Sequence, residues 1–230
     1  MAKYLIVGAS SGIGESTFTI LKKEGHLVFG TYHNTTSFQS ADDYYHLNVL
    51  EENVDFGFVG DHLDGLVYCP GAINLKPFHR IKPDQFLADF ELQVMGAIKS
   101  IQAALPLLKK SSHPSIVLFS TIAVQNGYNF HSLVSTSKGA IEGLTKSLAA
   151  EFAPSIRVNC IAPSLTNTPL AEKLLNSEAK KEANAQRHPL KRVGEAEDIA
   201  NAVSFLLSQN SSWTTGQILH VDGGLSTING

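Results

Sequence analysis

The chain has little of what marks most specialised protein classes. It carries 2 cysteines in 230 residues, Cys69 and Cys160. That is too few for the disulfide framework of a small secreted domain, so a reducing cytoplasm is the expected location. It has no basic surplus, since 18 Lys plus Arg stand against 21 Asp plus Glu for a net charge of −3. With nothing to neutralise a phosphate backbone, nucleic acid is not an expected partner. No apolar run approaches the ~20 residues a membrane span requires, so a membrane is not expected as a partner either. The apolar part of Met1–Val7 stops at a glycine-rich turn, where a secretory signal would continue. Repeats, low-complexity tracts and linker-like stretches are missing, which leaves one domain over residues 1–230. The 9 histidines contain no H-E-x-x-H pattern and no paired-cysteine spacing accompanies them, so no metal site is expected.

What is present is a globular composition, 43% hydrophobic and 17% charged, long enough to bury a sizeable core. Short apolar runs alternate with helical spacing. Tyr4-Leu5-Ile6-Val7 ends in Gly8-Ala9-Ser10-Ser11-Gly12-Ile13-Gly14, a helix follows until Gly25, and Leu27–Tyr32 is the next apolar run. Strand, glycine turn, helix, strand is the start of a parallel α/β fold. The rhythm continues with expected strands at Leu63–Cys69, Ser115–Ser120, Ile156–Ile161 and Gln217–Val221. Pro83 fits a first helical position, and Phe86, Leu87, Phe90, Val94, Ile98, Ile101 and Leu105 give the helix after it one apolar face. Further helices are expected at His131–Phe152 and Ala196–Leu207, and the charged segment from Ser164 to Gly194 suits a cover over a site.

Gly8, Gly12 and Gly14 lie between a strand and a helix, the context in which a dinucleotide pyrophosphate meets backbone N–H groups at a helix N-terminus. In this and in later motifs the chain resembles the short-chain dehydrogenase/reductase family over nearly its whole length. Gly8–Gly14 is similar to that family's cofactor loop. Leu66-Val67-Tyr68-Cys69-Pro70-Gly71-Ala72 takes the place of its Asn-Asn-Ala-Gly segment, with only the glycine kept. Arg157–Pro163 with Thr168-Pro169 resembles its nicotinamide-side strand and loop. Arg192-Val193-Gly194, Asp198-Ile199-Ala200 and Gly216–Gly224 resemble its C-terminal pattern. The fold implied is a doubly wound parallel sheet (Rossmann fold) with helices on both faces, its crossovers between Tyr32 and Asp64 shortened. The activity implied is NAD(P)-dependent oxidation or reduction of a small carbonyl, alcohol or enoyl substrate, in a homotetramer built on the Phe86–Leu108 and His131–Phe152 helices.

The resemblance sets the expected cofactor contacts at Gly8, Ser10, Ser11, Gly12, Ile13 and Gly14, at Pro70 and Gly71, and at Lys138, Pro163 and Thr168. An NAD site places an acid about 20 residues after the loop. Here that place reads Tyr32-His33-Asn34-Thr35-Thr36, without a carboxylate to repel a 2′-phosphate. NADP is therefore the expected cofactor and NAD the alternative. Asn48 sits where the family commonly has an aspartate against adenine.

The chemistry the resemblance implies uses a Tyr-x-x-x-Lys pair, a serine and an asparagine. The lysine is Lys138, but the tyrosine position is Val134. The serine position is Thr121, which keeps a hydroxyl, and the asparagine position is Gln93, which keeps an amide. Valine has no proton to give, and loss of a positioned acid costs ~10²–10⁴-fold. His131, two helical turns before Lys138, takes the place where the family's enoyl-reductase branch carries its tyrosine. It is either the replacement acid or a histidine near the helix start that caps it or faces solvent. Tyr128, on the loop before that helix, is a second candidate. Cys69 and Cys160 read as small buried thiols. Two function classes remain open: an oxidoreductase of altered mechanism, and a cofactor-binding protein without catalysis.

Overall fold

The computed structural model describes residues 1–34 and 43–228. Strand β1 (Lys3–Val7) leads through α1 (Gly12–Lys23) to β2 (Leu27–Tyr32), beside which β3 (Tyr44–His46) pairs. The connection from β3 to β4 (Gly65–Tyr68) holds a 3₁₀ turn at Gly57–Val59 and no α-helix. The residues between β2 and β3, Thr35 and Thr36 among them, lie largely outside the described ones. Next come α2 (Pro83–Phe90), a π turn (Glu91–Met95), α3 (Gly96–Leu108), β5 (Ser115–Phe119), α4 (Ala123–Asn126), α5 (Ser132–Phe152) and β6 (Arg157–Pro163). A cover follows, made of β7 (Thr166–Asn167), α6 (Glu172–Leu175), α7 (Glu178–Arg187) and β8 (Gly194–Glu195). Helix α8 (Ala196–Leu207) and β9 (Ile218–Val221) close the fold.

The main sheet runs β3-β2-β1-β4-β5-β6-β9, every pair parallel. Its strands are apolar on both faces because both faces are covered. Leu5, Val7, Leu66, Ile116 and Leu118 point to one side, into a core shared with Ala97, Ile101 and Leu108 of α3 and Ile141 of α5. Tyr4, Ile6, Val67 and Val117 point to the other, against Leu21 of α1 and Ile199, Val203 and Leu206 of α8. Each such side chain, fully buried, contributes about 1.5–3 kcal/mol. Chain direction across the sheet reverses between β1 and β4, and the crevice at their carboxyl ends is where such folds bind ligands.

Sequence periodicity expected one helix from Pro83 past Leu105 with Leu87 on its buried face. Pro83 does begin α2, but the π turn interrupts the run and Leu87 is 72% exposed. A π turn adds one residue, which moves the helical phase by about 100°, so Phe86 rather than Leu87 aligns with Val94. The cause lies in β4. The Tyr68 hydroxyl donates to the Leu92 carbonyl at 2.6 Å, and glycine at position 96 admits the ring, since a Cβ there would stand 2.2 Å from the Tyr68 oxygen.

Candidate active site

The loop after β1 is shaped by its glycines. Gly8 and Gly12 have φ of +79° and +54°, conformations that favour glycine. A Cβ on Gly14 would stand 2.1 Å from the Gly8 carbonyl oxygen, so the first turn of α1 can close on the strand end only without a side chain. The loop is held from several sides. Gly8 N–H donates to Thr31 Oγ1 at 3.0 Å and Ala9 N–H to the Thr31 carbonyl at 2.8 Å. A Cβ on Gly8 would meet the Pro70 ring at 3.1 Å, and one on Gly12 would meet Thr168 at 3.2 Å. Ser10 belongs to this loop, and Ser11 is the N-cap of α1 with no side-chain cap bond. The backbone donors at the helix start are thus left to a ligand, as an anion site requires.

At the carboxyl ends of β2 and β3, Tyr32 is buried while His33 and Asn34 are exposed. His46 lies 5.6 Å from the Tyr32 ring and 5.7 Å from the His33 ring, centre to centre. Asn48 Oδ1 accepts from the Leu50 N–H at 3.1 Å, a local turn bond that leaves its amide nitrogen free for other contacts. These five residues line the edge of the fold beyond the glycine loop and not the central cavity.

That cavity, of about 530 Å³, gathers eight of the residues expected from the sequence: Ile13, Gly71, Gln93, Thr121, His131, Lys138, Pro163 and Thr168. Val134 lines it too, 6% exposed. Lys138 projects from α5, and no hydrogen bond from its ammonium is found among the described residues. Burial pulls its pKa down to about 8, an effect that nearby Cys160, Asp89 and Cys69 partly oppose. The point where a Cβ on Gly71 would stand is 3.7 Å from Lys138 Nζ and 3.3 Å from Gln93 Oε1. Gln93 Oε1 is buried without a partner. An unpartnered ammonium and an unpartnered amide oxygen beside Gly71 form a polar cradle of the kind a ribose with its water would fill. Together with the glycine loop, the residues present fit a nicotinamide dinucleotide.

The two hydroxyls after β5 divide their work. Ser120 donates to Glu142 Oε1 at 2.6 Å, and Gln125 Nε2 holds both oxygens of that carboxylate at 2.8 Å. Ser120 is therefore occupied in anchoring α5. Thr121 only accepts, from the Ala123 N–H at 3.3 Å, so its proton is free to point at a substrate oxygen. His131 is the N-cap of α5, one residue earlier than the helix itself, and its side chain makes no cap bond. Its Nδ1 is 2.8 Å from the Asn129 carbonyl, which can only accept, so Nδ1 carries a proton. The Tyr128 ring stands 5.5 Å from the imidazole, and both residues line the cavity. Cys69 lines it as well, with its thiol pushed up to about 12 by burial. Cys160 is fully buried in β6. Both remain thiols.

Three residues of the site were not among those expected from the sequence. Asp89 is 5% exposed and accepts from Gln93 Nε2 and Ser137 Oγ. An acid on an otherwise apolar helix face was the available clue. Asn184 and Arg187 reach the cavity from α7 in the cover, a segment with no apolar periodicity to orient it. The C-terminal motifs are structural. Arg192 pairs with both oxygens of Asp198 at 2.5 and 2.7 Å, and Asn159 ties β6 to the Thr214 carbonyl and the Gln217 N–H. No helix among the described residues is long and apolar enough to cross a membrane.

The family model described as Enoyl-(Acyl carrier protein) reductase matches residues 8–226. A tropinone reductase homolog from Arabidopsis thaliana is 36% identical over 210 residues, 91% of this chain and 66% of its own length. The 3-oxoacyl-(acyl-carrier-protein) reductase FabG of Thermotoga maritima is 32% identical over 238 residues, 96% of each chain. Among solved structures, the ligand-free aldohexose dehydrogenase of Thermoplasma acidophilum superposes with a TM-score of 0.91 at 29% identity, over 99% of this chain and 95% of that one.

Proposed function

The chain belongs to the short-chain dehydrogenase/reductase family of NAD(P)-dependent oxidoreductases, and from that premise we propose that it uses NADP(H) on a small carbonyl, alcohol or enoyl substrate, with the proton-handling half of the site rebuilt. The observation that carries this reading is the joining of an intact nucleotide cradle to a cavity holding Lys138, Thr121 and His131 around Val134. When bound, the cofactor supplies or accepts hydride, which leaves the protein one proton to manage. The Thr121 hydroxyl donates to the substrate oxygen. The Lys138 ammonium holds the ribose, and Gln93 Oε1 accepts from a water or from that ammonium. His131, with Nδ1 held by Asn129, has Nε2 left to deliver the proton. NADP is preferred over NAD because His33, Asn34 and His46 stand at the strand ends where an acid would oppose the 2′-phosphate.

Val134 favours a second reading, in which the chain binds NADP(H) without turnover. Titration with NADPH and NADH, followed by turnover on a ketone and enoyl panel, separates the two for wild type and Val134→Tyr. Turnover by wild type supports the oxidoreductase, and ketone reduction appearing only in the variant supports the binding protein. Failure to bind either nucleotide defeats both. We extend the proposal to one cytoplasmic domain that assembles as a homotetramer through α2, α3 and α5, where Leu87 is 72% exposed. A monomer by light scattering defeats that assembly.

A further inference from the structure

We infer that the end of the cavity bordered by α7 recognises a carboxylate on the substrate, and that Arg187, exposed at that end, is the residue that holds it. The inference rests on the oxidoreductase reading and names its substrate class. It begins with charge. The cavity lining contains two full cations, Lys138 and Arg187, and neither Asp nor Glu. Lys138 faces Gly71 and Gln93 on the nucleotide side, which leaves Arg187 without a task there. Its guanidinium lies over the Tyr128 ring, 5.7 Å from the centroid, and among the described residues no carboxylate is within ion-pair distance of it. A cation serving only the end of its own helix would bond the last carbonyls of α7. Lys191 already does this, donating to the Gln186 carbonyl at 3.1 Å.

The surroundings hold Arg187 in place for a ligand. Helix α7 is capped at its C-terminus by His188, which is 2% exposed and fixed at both ring nitrogens, by Ser164 at 2.9 Å and by the Asn184 carbonyl at 2.8 Å. The backbone that carries Arg187 is thereby pinned to the strand end after β6. Asn129 and Asn184 add amide groups to the same end of the cavity. The lining also carries the apolar side chains of Ile73, Leu75, Leu170 and Leu174. The ligand that matches is a carbonyl compound with a short apolar stem ending in an acid. A single guanidinium fork pairs a planar monoanion in two parallel bonds, and it leaves half the charge of a phosphate dianion unmatched.

The test is binding of 4-oxopentanoate and its methyl ester, by calorimetry, to the NADP⁺ complex and to the protein alone. The acid should bind more tightly than the ester, and Arg187→Gln should weaken the acid by roughly 10- to 100-fold while leaving the ester unchanged. Arg187→Lys should restore part of the loss, and NADP⁺ affinity should be the same in all three proteins. Equal binding of acid and ester by wild type overturns the inference, as does an equal loss of both ligands in Arg187→Gln. Displacement of the acid by inorganic phosphate at lower concentration than by acetate overturns the choice of carboxylate. Absence of binding by NADP⁺ and NAD⁺ alike defeats the oxidoreductase reading instead, and the acid and ester comparison on the protein alone then still decides the role of Arg187.

Discussion

The Gln93 side-chain amide donates to Asp89 Oδ2 at 2.7 Å, and this bond aims the other end of Gln93 at the lysine. Ser137 Oγ donates to the same carboxylate oxygen at 2.6 Å, so α2, the π turn and α5 meet on one buried charge. Asp89 Oδ1 and Gln93 Oε1 are left without partners. Each unmatched buried acceptor costs about 1–3 kcal/mol, and Gln93 Oε1 stands beside Gly71 with Lys138 Nζ. The π turn matters here because it presents Gln93 inward, on the face set by Tyr68. A longer amide in place of asparagine then reaches the cavity while still tied to Asp89.

Replacing Asp89 by asparagine keeps the shape of this network and removes its charge. Asp89 raises the Lys138 pKa against the larger effect of burial, so Asp89→Asn should move it further below about 8. The expected result is loss of NADPH affinity at lower pH than in wild type, read from fluorescence titrations across pH 6 to 10. A pH profile that coincides with wild type would show that Asp89 does not act on the lysine.

The lysine itself sets two opposite trends. Its pKa in the folded protein is about 8, against an ordinary value of 10.5. Between those values the unfolded chain binds the extra proton and the folded chain does not, so the Lys138 contribution to stability rises with pH across that window. In the proposed role of Lys138 cofactor binding goes the other way, because the ammonium is a stronger donor to the ribose than the neutral amine. NADPH affinity should therefore fall as pH climbs through about 8 even though the Lys138 contribution to folding improves. Lys138→Met should remove both slopes. Affinity that stays flat from pH 7 to 9 in wild type would exclude the lysine as a cofactor contact.

Gly14 tests the cradle without touching the chemistry. The Cβ of Gly14→Ala would have to displace the Gly8 carbonyl, which is backbone and cannot rotate away. The loop and the first turn of α1 must separate, at a cost of about 1–3 kcal/mol. Cofactor affinity should drop at least 10-fold, with Lys138 and Thr121 unaltered. Gly139→Ala is the control, since a Cβ there meets only Val124 at 3.8 Å. Equal behaviour of the two variants would remove the glycine loop from the binding site.

How much of this was legible in the chain depends on the range of the forces involved. Gly8 to Gly14, the strand Ser115–Phe119 and Lys138 on α5 are marked by apolar runs, glycine breaks and helical spacing, all local signals. Helix α8 matched the expected Ala196–Leu207 at both ends, where a charged first turn and an apolar face leave little freedom. The π turn was invisible because its cause, the Tyr68 hydroxyl, arrives from a strand more than twenty residues earlier. The direction of Arg187 was invisible for the same reason, since the Tyr128 ring it lies over comes from the loop before α5. Asp89 reads in the sequence as a break in an apolar face, and only the fold places Ser137 opposite it.

His131 decides whether the missing phenol has been replaced. Its side chain makes no cap bond to α5, so His131→Ala removes no helix-start stabilisation and should change stability by a few tenths of a kcal/mol at most. If Nε2 delivers the proton, turnover should fall ~10²–10⁴-fold with NADPH affinity unchanged. The double variant His131→Ala with Val134→Tyr separates the proton from the position, because the phenol enters from the neighbouring turn of α5. Turnover restored in the double variant and absent in His131→Ala alone would assign the imidazole the role of acid. Turnover equal to wild type in His131→Ala would return the histidine to the solvent-facing helix start, and Tyr128, on the same cavity wall, becomes the donor to mutate next.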